Sequence, residues 1–123
     1  LLSPFYWEDI DLGYRAEKRG YINLWEPDSH VVHNHESTIG KFSKNYVQRI
    51  RERNQLLVIW KNIGSPALIR NHVIGVIRRT FKHPGYIRVV FMAFSRLGTA
   101  MRERKKEIRL SNLSDEAVFM RYR

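Results

Sequence analysis

The first forty residues contain two clusters of ionisable side chains of the types that act as general bases or metal ligands. Glu8, Asp9 and Asp11 place three carboxylates within four positions. Neighbouring carboxylates repel one another as anions, and such a group can supply a general base. On spacing alone, capping of a helix start by solvated acids is the more common explanation. The cluster is therefore a candidate catalytic site, with helix capping as the alternative explanation.

The second cluster consists of His30, His33 and His35. On a strand, His33 and His35 would point to the same face and could hold one divalent metal, while His30 would point away. Imidazole together with carboxylate suits Zn, Mn or Fe. A loop of solvated histidines has the same spacing, so both interpretations stay open.

The acids and histidines need local elements to position them. Acidic residues in its first turn, basic residues in its last and a following Gly20 predict a helix over Glu8–Arg19. Tyr21–Trp25 and His30–His35 have strand composition, and residues 26–29 have turn composition. The first forty residues are therefore expected to form a helix and a two-stranded element.

Helical patterns begin at Phe42 and continue through the rest of the chain. Helices are predicted over Ser43–Asn62, from Pro66 to about Lys82 behind an N-cap at Ser65, and from Pro84 to about Lys106. The second and third are amphipathic, with cations opposite an apolar stripe. The cations expected to contact a membrane are Arg78, Arg79, Lys82, Arg88 and Arg102.

The composition limits the function classes. With 123 residues, 43% of them apolar, the chain is long enough for one small domain, and the absence of cysteine excludes disulfides, cysteine zinc sites and a thiol nucleophile. The longest apolar run, Val89–Phe94, is far shorter than the roughly 20 residues that cross a bilayer. Residues 1–40 carry a net charge of −4 and residues 41–123 a net charge of +14. We therefore expect two segments with different roles.

Several motifs occur in a fixed order along the first third of the chain. They are the segment from Phe5 to Ala16, Arg19-Gly20-Tyr21, Pro27, and the segment Val31-Val32-His33-Asn34-His35-Glu36-Ser37. Together they resemble the latter part of the catalytic domain of family 2 glycosyltransferases, the rhamnosyltransferase-like group. Arg53-Asn54, the apolar run after it and Lys61-Asn62 also resemble the next segment of the chain in that group.

The resemblance implies that residues 1–40 are the C-terminal part of an α/β nucleotide-sugar transferase domain of the GT-A type. The helical patterns and the positive charge indicate that residues 41–123 are a mainly helical basic extension. The resemblance implies Asp9 as the catalytic base, with Glu8 and Asp11 as supporting acids near the acceptor. It also implies His33 as a ligand of a divalent Mn or Mg ion, with His35 as a lesser candidate. Trp7, as a platform for a ring or as core, and Arg53 are expected near the acceptor.

The chain also departs from the family pattern. It contains no Asp-x-Asp motif outside the acids at the helix start, no Gly-rich phosphate loop and no parallel-strand half. It opens on Leu1 rather than Met. We therefore expect a C-terminal fragment of an inverting, metal-dependent transferase that moves a sugar from a nucleotide donor to a hydroxyl acceptor, such as a cell-envelope polysaccharide or a lipid-linked glycan. The isolated fragment is expected to be inactive.

The basic extension leaves further interpretations open. Amphipathic basic helices lie on anionic membranes, which predicts a cytoplasmic protein with a peripheral contact at the inner face of the cell membrane. Packing of the apolar stripes on the catalytic domain is an equal alternative. A basic module that binds nucleic acid or membrane without catalysis, and a small histidine metal-binding protein, belong to other classes. The acidic first third argues against nucleic acid, so no nucleic-acid partner is expected.

Overall fold

Helices make up the regular secondary structure of residues 1–32 and 39–122, the residues that this computed structural model describes. A short 3-10 turn, Pro84–Tyr86, precedes the fourth helix. The six α-helices of these residues are α1 (Glu8–Lys18), α2 (Lys44–Asn62), α3 (Pro66–Lys82), α4 (Ile87–Phe94), α5 (Leu97–Leu110) and α6 (Asp115–Met120).

Capping signals fix the boundaries of the first three helices as the sequence predicts. The Ser43 hydroxyl accepts the Tyr46 N–H at 3.3 Å, and the Ser65 hydroxyl accepts the Leu68 N–H at 3.4 Å with a proline at the first helical position. Gly20 follows α1 with a φ of 95°, a left-handed conformation that suits glycine. These three helix predictions are confirmed.

The helix predicted from Pro84 to about Lys106 is two helices in the structure, α4 and α5. After α4 ends at Phe94, the Ser95 hydroxyl donates to the Met92 carbonyl at 2.8 Å, and the chain turns before α5 starts at Leu97. A side chain that hydrogen-bonds the preceding turn competes with the helix ladder and bends the chain. Helix α5 then runs past the predicted end at Lys106 to Leu110.

The predicted α/β class is wrong for the described residues, which contain helices and no strand. Residues 21–32, expected to start a two-stranded element, are non-helical and mostly exposed. A strand needs a neighbour to pair its backbone groups, and an isolated hairpin is marginal in water. Instead, the segment is tied to α1, with the Asn23 N–H donating to Glu17 Oε1 at 3.1 Å and the Tyr21 N–H to the Ala16 carbonyl at 3.0 Å.

The hydrophobic core lies between α2, α4 and α5. Leu57 of α2, Ala93 of α4 and Ala100 of α5 are fully buried, and Leu56 and Val89 lie beside them. The small side chains at 93 and 100 let the neighbouring helices approach α2 closely. Helix α2 is therefore the centre of the fold.

A second, polar centre joins α1, α6 and the loop before α3. Asp115, only 2% exposed, accepts hydrogen bonds from Tyr14 Oη at 2.6 Å, Lys18 Nζ at 2.8 Å, the Gly64 N–H at 2.7 Å and the Ser65 N–H at 2.6 Å. Burial alone would raise the pKa of Asp115, but the hydrogen bonds from Lys18, Tyr14 and Ser65 outweigh it and hold this pKa below its ordinary value. The carboxylate thus links three parts of the chain.

We expect Asp115→Asn to lower the free energy of unfolding at pH 7 by about 3 kcal/mol, because it leaves the Lys18 ammonium buried without a charged partner. The native pKa is depressed, so the contribution of Asp115 is complete above its unfolded pKa of about 3.9 and is lost as the pH falls toward the native value. Thermal unfolding measured at a series of pH values should show that the free energies of unfolding of variant and parent approach each other as the pH falls below the unfolded pKa of Asp115. Asp28→Asn, at an exposed acid, is the control and should change little.

Candidate active site

A strained turn stands directly before the acidic cluster of α1. Tyr6 and Trp7 both have left-handed backbones, with φ values of 71° and 77°. For residues with a bulky side chain this conformation costs of order 1–3 kcal/mol each, and it persists where the surroundings impose it. Trp7 is the half-buried N-cap of α1, and Glu8 is its first residue. The turn therefore sets the direction in which helix α1, which carries the acids, begins.

Asn54 of α2 holds this turn. It is fully buried, and its side-chain amide donates to the carbonyls of Phe5 at 2.7 Å and Tyr6 at 3.2 Å, as well as to that of Leu2. Carbonyls in a strained, partly buried segment need donors, because unsatisfied buried groups cost roughly 1–3 kcal/mol each. Asn54 supplies these donors from the rigid central helix.

Arg53 reinforces the same contact. Its Nε and Nη2 atoms donate to the Asn54 Oδ1 at 3.0 and 2.8 Å, and Nη2 also donates to the Ser3 carbonyl at 2.6 Å. Burial and the neighbouring Arg96 lower the pKa of Arg53. The structure therefore places Arg53, an expected acceptor contact, behind the turn, where it positions the acids.

Asp11 is the buried member of the three acids. Its Oδ2 accepts from Lys61 Nζ at 2.6 Å and Arg15 Nε at 3.1 Å, while its Oδ1 accepts from Asn62 Nδ2 at 2.6 Å. Only 5% of the residue is exposed. Asp11 thus ties α1 to the end of α2, which gives it a positioning role in this arrangement.

Glu8 and Asp9 lie on the exposed side of the same helical turn. Asp9 accepts the Ile10 N–H at 2.8 Å. It also lines an open groove of about 790 Å³ between α1 and α6, together with Leu12, Asn23, Phe119 and Tyr122. The groove presents a carboxylate beside aromatic and amide groups, a combination that can receive a hydroxylated ligand.

Glu17 also lines this groove. Its carboxylate accepts from Arg121 Nη1 at 2.8 Å and from the Tyr122 hydroxyl. The Tyr122 hydrogen bond is the main reason that the pKa of Glu17 is lowered, and the Asn23 N–H adds to it. The C-terminal end of the chain is thus held against α1.

The predicted metal ligands His33 and His35 lie outside the described residues. His30 is exposed. Among residues 1–32 and 39–122, no group of three histidine, aspartate or glutamate side chains converges in a way that could hold a metal ion.

The cations expected at a membrane fall into two groups. Arg78, Lys82 and Arg88 are exposed on α3 and α4. Arg79 is bound, with Nη2 2.6 Å from Glu52 Oε1 and its guanidinium 4.2 Å from the centre of the Tyr86 ring. Arg102 is exposed on α5, next to Glu103. No helix in the described part of the chain is long and apolar enough to cross a bilayer.

The sequence did not predict which polar side chains pair with one another in the interior of the protein. Arg53-Asn54 and Lys61-Asn62 stand eight residues apart in α2, and their position within an apolar stretch was the available signal. Asp115 and Glu107 carry no such signal, because their side-chain partners on α1 lie about ninety residues or more away along the chain, and the Gly64 and Ser65 N–H groups that Asp115 binds lie about fifty residues away.

Comparisons with protein-family models, with curated proteins and with solved structures give no match to this chain.

Asn54→Ala should destabilise the chain by about 3 kcal/mol, because the carbonyls of the strained turn lose their donor and a cavity remains. Amide exchange should show residues 5–9 opening before the core. Asn71→Ala, at an exposed position in α3, removes the same side chain and should change stability by less than about 0.5 kcal/mol. Equal effects at both positions would show that Asn54 does not support the turn.

Proposed function

We propose that this chain carries the acceptor-side catalytic residues of a glycosyltransferase, with Asp9 as the general base. The observation that supports this most is the strained Tyr6-Trp7 turn, which Asn54 holds and which leads directly into Glu8 and Asp9. Backbone strain held by a rigid scaffold is concentrated at functional sites. Plain helix capping by acids does not require such a turn.

The three acids divide into positioning and reacting groups. Asp11 is buried, and both of its carboxylate oxygens are bound by Lys61, Arg15 and Asn62, so a substrate hydroxyl cannot reach it. Asp9 is exposed on the groove side and can meet an acceptor hydroxyl. Glu8 is also exposed and supports the local negative charge.

The proposed reaction is an inverting displacement. Asp9 takes the proton of the acceptor hydroxyl as that oxygen forms a bond to the anomeric carbon, and the bond from this carbon to the nucleoside diphosphate breaks. The electron pair leaves with the diphosphate. The divalent Mn or Mg ion implied at His33 and His35 would neutralise the diphosphate, but the role of Asp9 does not depend on it.

Exposed apolar side chains in residues 21–32 support a contact between this segment and the part of the enzyme that binds the donor. Leu24, Trp25 and Val32 are 86%, 88% and 94% exposed. Side chains of this size in one segment indicate a surface that packs against protein. We propose that residues 21–32 contact the donor-binding part of the enzyme, supplied by protein outside the described residues. The acceptor would be a glycan or a lipid-linked glycan.

The test is Asp9→Asn in the whole product of the gene, assayed with a panel of radiolabelled nucleotide sugars and cell-envelope acceptors. Transfer should fall by roughly 10²–10⁴-fold while donor binding stays within about two-fold, because the amide keeps the shape but cannot take a proton. Asp28→Asn, at another exposed acid, should leave transfer unchanged. Transfer at the parental rate by a folded Asp9→Asn protein would refute the role of Asp9.

A further inference from the structure

An open pocket of about 510 Å³ lies between the first half of α2 and the turn that joins α3 to α4. Its α2 wall consists of polar side chains spaced at i, i+3, i+4 and i+7, which lie on one face of a helix. These side chains are Asn45, Gln48, Arg49 and Glu52. The facing wall comes from the end of α3, the 3-10 turn and the start of α4, and it includes Arg79, His83 and Arg88. We call this hollow the arginine pocket.

Cations dominate the wall of the arginine pocket. Arg49, Arg79 and Arg88 contribute guanidinium groups from three different helices, α2, α3 and α4. Glu52 is the one acid in this wall, and it is also the one acidic residue of the sequence between Glu36 and Glu103. The wall therefore carries a net positive charge even when the His83 imidazole is neutral.

The carboxylate of Glu52 is already bound, and this contact orients Arg79. Glu52 Oε1 accepts from Gln48 Nε2 at 2.8 Å and from Arg79 Nη2 at 2.6 Å. The Arg79 guanidinium also lies 4.2 Å from the centre of the buried Tyr86 ring, which holds it by a cation–π contact. Because a guanidinium carries five N–H donors, Arg79 can hold Glu52 and still donate to a ligand.

Arg49 and Arg88 face one another across the pocket with donors to spare. Arg49 Nε donates to the Asn45 carbonyl at 3.2 Å, and within the described part of the chain its Nη atoms make no hydrogen bond. The guanidinium of Arg88 is exposed and makes no ion pair with residues 1–32 or 39–122. The planar fork of a guanidinium matches two phosphate oxygens, so arginines from several elements that line one hollow are suited to bind phosphate.

We propose that the arginine pocket binds the diphosphate group of a small molecule, with Arg49 and Arg88 donating to its oxygens and Arg79 held ready by Glu52 and Tyr86. A diphosphate carries enough negative charge for three guanidinium groups, and its two phosphates can reach arginines on both walls. Nucleic acid fits less well, because its phosphates follow an extended backbone whereas these cations line one hollow. The arginine pocket shares no lining residue with the Asp9 groove, so the proposal does not depend on transferase activity.

Isothermal titration calorimetry of the 123-residue chain with inorganic pyrophosphate, in about 0.15 M salt, tests the site. Pyrophosphate should bind at least about ten-fold more tightly than sulfate, because one additional charge-assisted hydrogen bond already corresponds to roughly ten-fold. The double variant Arg49→Gln, Arg88→Gln should weaken pyrophosphate binding by at least about ten-fold for the same reason. Arg70→Gln, Arg109→Gln is the matched control, because it removes the same charge from exposed arginines outside the pocket, and it should bind as the parent does. Equal losses in the two double variants, or sulfate binding as tight as pyrophosphate binding, would show attraction by net charge alone and overturn the proposal.

Amide chemical shifts give the position of the bound group. On addition of pyrophosphate, the N–H resonances of Gly85 and Val89, which line the pocket, should shift most. Shifts centred on other parts of the chain would overturn the proposal, as would RNA that binds through Arg49 and Arg88 at lower concentration than pyrophosphate does. Circular dichroism of each variant confirms that the helices are intact.

Two further probes distinguish the sources of a diphosphate group. Uridine diphosphate carries it on a nucleoside, and geranyl diphosphate carries it on a lipid chain. Either probe should lose at least about ten-fold in affinity in the Arg49→Gln, Arg88→Gln variant, and the tighter of the two identifies the kind of molecule that the pocket accepts. Binding of both probes that is insensitive to this double substitution would place the diphosphate elsewhere and overturn the proposal.

Discussion

Helix α2 fixes α1 through two buried polar contacts, and the position of the candidate site depends on them. Asn54 holds the turn before α1, and Lys61 with Asn62 holds Asp11 inside it. Both contacts are nearly free of water, so removing either partner leaves a buried polar group unsatisfied. Two fixed points about two turns apart in α2 define both where α1 lies and which of its faces is exposed. Asp9 is exposed because Asp11 is not.

Ion pairs join the acidic first segment of the sequence to the basic segment that follows it. The acids Asp11 and Glu17 of α1 meet Lys61 and Arg121, while Arg19 meets Glu107 at 2.7 Å. These ion pairs therefore help to hold residues 1–20 against the helices of the basic segment. Buried pairs of this kind specify a partner geometry more than they stabilise, because desolvation offsets much of their attraction.

The sequence predicts the helices better than it predicts their surroundings. Ser43, Ser65-Pro66 and Gly20 carry local signals, and α1, α2 and α3 begin or end beside them. Strand formation over residues 21–32 depends on a neighbouring strand that no local pattern supplies. The Asp115 contacts depend on groups far apart in the chain. For the candidate site, the acids could be found from spacing and resemblance, but their division into buried Asp11 and exposed Asp9 needed the position of α2.

Residues 21–32 leave large apolar side chains exposed within the described chain, and the charges beside these side chains limit which partners they suit. Residues 21–32 contain Glu26 and Asp28 and no Lys or Arg, so an anionic bilayer would repel them. Apolar area attracts any apolar partner, whereas the neighbouring charge selects among partners. A protein surface with cations beside its apolar area would therefore suit this segment better than an anionic membrane would.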